Sequence, residues 1–412
     1  MRTCTHTVFA SIASLAGTHT PLAAQVPSYS VEVVATFDVT TTVEGASDSG
    51  HIVGFQVVLG VQQPFVATLE GGLVYLPLPS GYDSGAALDV NDAGVVVGTV
   101  SSVSLPTDDG QPAIWIPDNA GGYEAIIPEQ FDALPNPIGS GDLAITGGQA
   151  VAINNDGAVV GWSRYQGFQG GPTTQFFIDE SPVNLGALGF AATVRDMNNN
   201  GVLVGEGLTF DLATQAVTDL GIPDRAGGVS FTNVIGYAIN DSNEVVAAAR
   251  RATSGNAIWL TYLFDGDWSP LNPAQIPTRF VGFYDNNNRG DVSATGGVYF
   301  APEDALFPDF NGLLTPGDQN WSVDLGFIAN DRRVYTTGVD TDAGANALVV
   351  LVPNADNCPA DLTGEGDLDF FDVSAFVNAF AAMDTIADFT GDGNFDFFDV
   401  SGFVNAFGAG CP

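Results

Sequence analysis

Between about residues 30 and 353 the chain alternates short apolar runs, rich in Val, Ile, Leu and aromatic residues, with polar breaks rich in Asn, Asp and Gly. One segment recurs: an apolar residue, Asn, two variable residues, Gly, then a β-branched run that ends in Gly or Ala. The clearest copies are Asp89 to Gly98, Ala152 to Gly161 and Asp196 to Gly205, and weaker ones surround Gly50, Asn243, Gly290 and Arg333. Successive turn positions 50, 94, 157, 201, 243, 290 and 333 differ by 44, 63, 44, 42, 47 and 43. A single period accounts for all but the second gap, which requires an insertion of about 19 residues near Asp118 to Gly148.

Asn or Asp followed shortly by Gly, between apolar runs, is hairpin chemistry, because Gly supplies the positive φ that such turns need. Each copy therefore predicts strand, turn, strand. A third strand follows at Pro64 to Leu69, Ala113 to Ile116, Gln175 to Ile178, Leu208 to Leu212, Ile258 to Phe264, Gly297 to Phe300 and Ala347 to Val352. A fourth commonly follows a polar turn, as at Leu73 to Leu78, Pro182 to Leu185 and Ala216 to Leu220. Four antiparallel strands every 40 to 45 residues is the signature of a β-propeller blade. The predicted fold is mainly β: a β-propeller over residues 29–353, with seven blades favoured and six or eight also compatible with the weak copies. The last third strand has no successor before Pro353, so Val31 to Phe37 is expected to complete that blade and close the ring, removing exposed sheet edges. Ala- and Gly-rich flanks such as Ala86-Ala87 and Ala247-Ala248-Ala249 place the turn hairpin near a narrow central axis. At these residues the chain resembles the extracellular HAF repeats, which implies an exported repeat protein and little about activity.

Beyond Pro353 the texture changes. A polar linker, 354–357, leads to two matching acidic stretches, Asp361 to Asp372 and Asp388 to Asp399, which start 27 residues apart. Oxygen donors stand at loop positions 1, 3, 5, 9 and 12 with Gly at 6, the spacing of an EF-hand calcium loop, in which Gly makes the sharp turn that wraps the donors around the ion. The expected metal residues are Asp361, Thr363, Glu365, Asp367, Asp369 and Asp372 in the first loop, and Asp388, Thr390, Asp392, Asn394, Asp396 and Asp399 in the second, for two Ca2+ ions. Asp367 and Asn394 would offer backbone carbonyls. Val373 to Phe380 and Val400 to Phe407 repeat apolar residues at i, i+3, i+4 and i+7 and predict one amphipathic helix after each loop. Asp in place of Glu at position 12, the absence of an entering helix and the terminal Gly410-Cys411-Pro412 make residues 358–412 resemble a dockerin, of the kind found at the C-termini of exported planctomycete proteins. That resemblance implies attachment to a cohesin-like or other envelope partner. Phe370, Phe371, Phe397 and Phe398 fall where dockerins present their partner-contacting positions, so an apolar docking face competes with core packing for those rings.

Composition narrows the field. Acidic residues outnumber basic ones 48 to 10, for a formal charge of −38, and every basic residue is Arg. Nucleic acid and anionic membrane surfaces are excluded as partners by that balance. Arg2, the apolar run Val8 to Gly17 and the small-residue exit before Gln25 read as a signal peptide over 1–24, and no later run is long enough to span a membrane. Export makes the chain secreted or surface-held. Removal of the leader leaves two cysteines, Cys358 and Cys411, which are expected to pair. Closing that loop of about 50 residues is worth about 4 kcal/mol on the chain-entropy account.

No nucleophile elbow, HExxH or phosphate-binding loop is present. His51 is the one histidine of the mature chain and reads as a surface residue without a Ser or Cys partner. Carboxylates recur at the turns (Asp89, Asp92, Asp156, Asp196, Asp241, Asp285, Asp331), and recurrence favours turn chemistry over catalysis. The expected role is a non-catalytic scaffold whose propeller takes a polysaccharide or protein ligand. The alternative is a carbohydrate-active hydrolase or lyase, for which the insertion and Arg164 and Arg195 are the places to look.

Overall fold

A computed structural model of the chain describes residues 27–354 except 103–109, 119, 129–144, 166–172, 179–180, 191, 224–230, 252–257, 271–283, 295–296 and 302–304, and then 359–362, 368, 370–390 and 394–409. The leader, most of the insertion, the linker after Asn354, Cys358, Cys411, Thr363, Glu365, Asp367, Asp369 and Asp392 lie outside the described residues.

The described strands form seven antiparallel sheets, six of them paired in chain order, and together they build a mainly β propeller followed by a small helical region. The first sheet is typical: Thr40–Ala46, Ile52–Val58, Val61–Thr68 and Gly72–Tyr75 pair in sequence. The seventh takes its outer strand from the other end of the chain, with Tyr29–Phe37 pairing Ala345–Pro353 in an antiparallel register from Tyr29 opposite Pro353 to Phe37 opposite Asn346. The two ends of residues 29–353 thus share one sheet, as the strand count required.

The recurring segment has a local cause. Its Asn carbonyl accepts the amide of the residue three positions on, as Gly94 to Asn91 at 2.9 Å and Gly201 to Asn198 at 3.0 Å, and that third residue takes positive φ. Gly occupies it in five copies. Asn243 (φ 64°) and Arg332 (φ 67°) take the same conformation in the two copies that lack Gly, so the last turn centres on Arg332 and not on Arg333. The shift arises because Ala329 replaces the Asn that anchors the alignment.

The Gly that ends the motif answers a different demand. The first strand of a sheet carries a bulge just before the turn, between Val43 and Gly45, Ala87 and Asp89, and Ala150 and Ala152. The bulge pushes a backbone carbonyl toward the second strand, and a Cβ on Gly54, Gly98 or Gly161 would overlap the carbonyl of Thr42, Ala86 or Gln149. In the seventh sheet Thr336 holds that place and the Gly has moved across to Gly326, whose Cβ would lie 2.6 Å from that of Thr336. There the first strand splits into Trp321–Val323 and Phe327–Ile328, both paired with Val334–Asp340. Apolar side chains of adjacent sheets fill the space between them, for example Val53, Val66, Ala87, Val96 and Trp115 in one cluster.

In the tail, helix α1 (Phe370–Ala382) and helix α2 (Phe397–Ala409) begin three residues earlier than the periodicity predicts, so the Phe pairs fall in their first turns. Asp396 Oδ1 accepts the Phe398 amide at 2.8 Å and caps α2. Phe376 of α1 and Phe403 of α2 stack face to face, centroids 4.1 Å apart, and Ala360 and Ala387 are buried with them.

Candidate functional site

The seven turns converge. One side chain from each repeat, at the position after the Asn, accepts a backbone amide of the preceding repeat: Asp92 from Ser49 (3.0 Å), Asn155 from Asp92 (2.9 Å), Asn199 from Asn155 (3.0 Å), Asp241 from Asn199 (2.8 Å), Asn288 from Asp241 (2.7 Å), Asn330 from Asn288 (2.6 Å) and Asp48 from Asn330 (2.8 Å). The last link runs from the seventh repeat to the first, so the ring is closed. Beneath it the repeated Asn works twice. Asn198 Oδ1 accepts the Val202 amide of its own turn at 2.9 Å, and its Nδ2 donates to the Asn240 carbonyl of the next repeat at 2.8 Å. Asn91, Asn240 and Asn287 do the same, the last to the carbonyl of Ala329.

A third layer lies deeper, two residues before each Asn. Here Asp89, Asp196 and Asp285 occupy the second, fourth and sixth repeats, and Gly45, Ala152, Ala238 and Phe327 the others. Each carboxylate grips the neighbouring repeat: Asp89 Oδ2 accepts the Ile153 amide at 2.8 Å, Asp196 Oδ2 that of Ile239 at 2.9 Å, and Asp285 Oδ2 that of Ile328 at 2.7 Å. Turn chemistry within one repeat therefore does not describe Asp89, Asp196 and Asp285, nor Asp92 and Asp241 in the ring above them, all of which join repeats. They face a cavity of about 150 Å³ that is also lined by Asp48, Asp92 and Asp241. Desolvation drives their acidities down: the Asp89 carboxyl is pushed up to about 8 and Asp285 to about 7 against the pull of the amides they accept, and Asp196 moves the same way. All three keep some exposure to the cavity.

His51 departs from its expectation. Its Nδ1 lies 2.9 Å from Ser49 Oγ and 3.4 Å from Ser47 Oγ, and burial lowers its pKa. Both serines stand within four residues of it in the sequence, so the contact was open to a turn argument. The Ser49 hydroxyl donates to the Asp92 carbonyl at 2.9 Å, leaving its oxygen to accept from the imidazole, which is the wrong polarity for an activated nucleophile. Arg195 sits 3.9 Å from Glu206 and over the Tyr237 ring, away from the cavity lining, and nothing of the Arg164 side chain falls within the described residues.

The sequence also hid an ion pair. Arg332, fully buried at its positive-φ turn, donates from Nε to Asp291 Oδ2 at 2.7 Å and from Nη2 to Oδ1 at 3.0 Å, and lies over the Phe300 ring. Its signal was Arg where five other turns carry Gly, beside an Asp at a position that is Val95, Ala158 or Val202 in three repeats and polar in the rest.

In the tail, the described members of the second loop approach one another. Asp399, fully buried at position 12, accepts the Thr390 hydroxyl at 3.0 Å, the Thr390 amide at 3.1 Å and the Asp396 amide at 2.9 Å, and Thr390 Oγ1 lies 3.4 Å from Asp388 Oδ1. Burial raises the Asp399 carboxyl and these donors outweigh it, holding the group below the usual carboxylate range. Asp388, Thr390 and Asp399, positions 1, 3 and 12 of that loop, thus draw together, hard oxygen donors of the kind that fit calcium, while the Asp396 carboxylate at position 9 is turned to the Phe398 amide. Among the described residues no three carboxylates, imidazoles or thiols are close enough to hold a metal ion by themselves, so the set would be completed by Asp392 and, in the first loop, by Glu365 and Asp369. Of the residues expected to bind calcium in the first loop, Asp361 and Asp372 are described, Asp372 fully buried. Phe370, Phe371, Phe397 and Phe398 are 76%, 63%, 75% and 54% exposed, so packing does not account for them.

Residues 80–215 match a family described as a protein of unknown function, DUF3466. No curated protein matches the chain. Among solved structures, an oligogalacturonate lyase from Vibrio parahaemolyticus is similar at 10% identity and TM-score 0.46, over 81% of this chain and 94% of that one. A streptogramin B lyase aligns at 11% identity and TM-score 0.41, over 79% and 98%. A structure of YCF48 bound to D1 peptide aligns at 11% identity and TM-score 0.30, over 80% and 98%. Among the described residues no helix is long and apolar enough to cross a membrane.

Proposed function

We propose that the chain is an exported, non-catalytic protein of a cell surface or extracellular complex: a seven-bladed propeller of HAF-like repeats, one blade per sheet, that binds or scaffolds a ligand, carried on a dockerin-like tail that takes two calcium ions to engage a partner. The observation that carries it is the second tail loop, where Asp388, Thr390 and Asp399 draw together immediately ahead of a helix whose first turn exposes two Phe rings. Calcium would fix both loops and so set the two exposed Phe pairs on a common frame around the stacked Phe376 and Phe403. The polar groups that recur in the propeller are engaged in joining repeats, which favours a binding scaffold over the hydrolase or lyase alternative.

The test uses the full mature chain. Calcium added after chelation should raise the unfolding temperature of the tail and permit capture of a partner from an envelope fraction of the source cells. Asp361→Ala with Asp388→Ala should abolish both, and Phe370→Ser with Phe397→Ser should abolish capture alone. Capture that survives chelation sinks the reading.

A further inference from the structure

The edge of the propeller away from the turns is uneven. The second strand of a sheet runs six or seven residues in five sheets (Ile52–Val58, Val96–Ser101, Val159–Tyr165, Val245–Arg251 and Val334–Asp340) and three in the fourth and sixth (Val202–Val204 and Val292–Ala294). Four residues of strand make about 13 Å of height, so the third and fifth sheets rise above the neighbour that follows each of them. The sixth residue of the long strands sorts the sheets in the same way. It is Val57, Ser101 and Val339 where the following sheet is full length, and Arg164 and Arg250 where it is short.

Strand alternation sets the direction of Arg250. Val246 and Ala248 pack against Val292 and Ala294 of the sixth sheet, and Arg250 is the next residue on that face, beyond the level at which the sixth sheet ends. It is exposed, and no ion pair among the described residues involves it. Over the short fourth sheet stands Arg195, its side chain 40% exposed, 3.9 Å from Glu206 and 5.4 Å from the centroid of the Tyr237 ring. Trp162, two residues before Arg164, is partly exposed on the third sheet, and Arg164 enters by its place in the strand. No acidic residue occurs from Val159 to Ile178 or from Val245 to Phe264, the hairpins of the third and fifth sheets. The corresponding stretches of the second and seventh sheets carry Asp108 and Asp109, and Asp340 and Asp342.

A sector with Arg and without carboxylates, in a chain of formal charge −38, sets the class of ligand. At physiological ionic strength charges more than about 8 Å apart are largely screened, so the local groups decide and not the net charge. A guanidinium takes a carboxylate or a sulfate through paired N–H donors. An aromatic face beside it takes the flat apolar face of a sugar ring, which an acidic polypeptide does not offer. We propose that the rim over the fourth and sixth sheets binds an acidic polysaccharide, its anionic groups held by Arg164, Arg195 and Arg250 and its rings laid against Trp162 and the Arg195–Tyr237 pair. This rests on the binding role proposed for the propeller and gives it a ligand class, and calcium in the tail takes no part in it.

The probes are fluorescently labelled carboxymethyl dextran and dextran sulfate, which separate the two anionic groups, with plain dextran and polyglutamate beside them. Each is titrated with the full mature chain in chelator, which removes calcium bridges, and binding is read by anisotropy. Saturable binding of at least one charged dextran is expected, weakening as NaCl rises, with none of plain dextran and weaker binding of polyglutamate. Arg164→Gln with Arg250→Gln should weaken it about tenfold or more, the worth of a charged hydrogen bond. Arg333→Gln removes the same charge at an exposed turn on the opposite edge and should leave affinity unchanged. Tryptophan fluorescence checks that each variant is folded. No binding of either charged dextran, equal loss in the Arg333 variant, or polyglutamate bound as tightly as carboxymethyl dextran overturns the proposal. Plain dextran bound as tightly as its charged derivatives also overturns it while keeping the propeller as a binding domain, and failure of the calcium experiment bears on the tail alone.

Discussion

Replacing Arg332 by Gly restores the residue that five other turns use at this conformation, yet it should destabilise the propeller. The gain is the relief of a side chain at φ 67°, about 1–2 kcal/mol. The loss is larger: Asp291, fully buried, keeps a charge whose two short bonds to the guanidinium are gone, and breaking such a pair from one side costs about 3–5 kcal/mol. The net expectation is a loss of about 1–4 kcal/mol. Asp291→Val alone strands the cation and should cost a similar amount. Combined, the two changes recreate the Gly and Val of the second repeat, and the double variant should recover most of the loss, short of about 1 kcal/mol for each of the two donors Asp291 otherwise accepts, the Ala301 amide at 3.2 Å and Asn287 Nδ2 at 3.0 Å. The coupling of the cycle should reach about 3 kcal/mol. All five Trp residues precede residue 354, so urea unfolding followed by tryptophan fluorescence reports the propeller alone. A double variant as unstable as the sum of the singles would refute the pairing, and with it the account of why Arg is tolerated at this turn.

Three further outcomes follow from the same geometry. Asn198→Ala leaves the Val202 amide and the Asn240 carbonyl unmatched inside the protein and should cost about 2–5 kcal/mol, against under about 1 kcal/mol for Asn199→Ala at the exposed ring, both read by the same urea assay. A raised folded-state pKa means that the native chain holds a proton the unfolded chain has shed, so the Asp285 contribution falls as pH rises from about 4 to about 7. Asp285→Asn should make the stability of the chain decline less steeply over that range, and an unchanged slope would show that this carboxyl titrates normally. Gly98→Ala sets a methyl against the Ala86 carbonyl and should unfold the chain at markedly lower urea, whereas Gly121→Ala, with no neighbour within 4 Å, tests only the strain of its φ of 83° and should cost far less.

Much of the fold was legible because repetition amplifies weak signals. Seven copies of one turn, four of them with both Asn and Gly, fixed the hairpins, and the missing strand before Pro353 pointed to Tyr29–Phe37 at the start of the propeller. What escaped was the meaning of single departures. Ala329 hid the register of the last turn, because the Asn that anchors every comparison is absent there. The split strand at Trp321–Val323 and Phe327–Ile328 followed from a Gly that moved from one strand to its partner, a compensation visible only once the strands are paired. The acidic positions were seen as a set, but their sorting into a closed ring and three deep groups depends on which amides of the neighbouring repeat each one reaches, and that is set by how adjacent sheets pack. In the tail the loop spacing was plain, and the start of each helix was not, since Asp396 caps from within the loop that the calcium pattern claims.

The most direct test of the central claim is the number of calcium ions bound by the full mature chain after exhaustive chelation, measured by calorimetry together with elemental analysis. The account predicts two per chain, falling to none when Asp361 and Asp388 are both replaced by Ala, with the tryptophan signal of the propeller unchanged. A chain that takes up no calcium, or whose uptake is indifferent to those two residues, would contradict it.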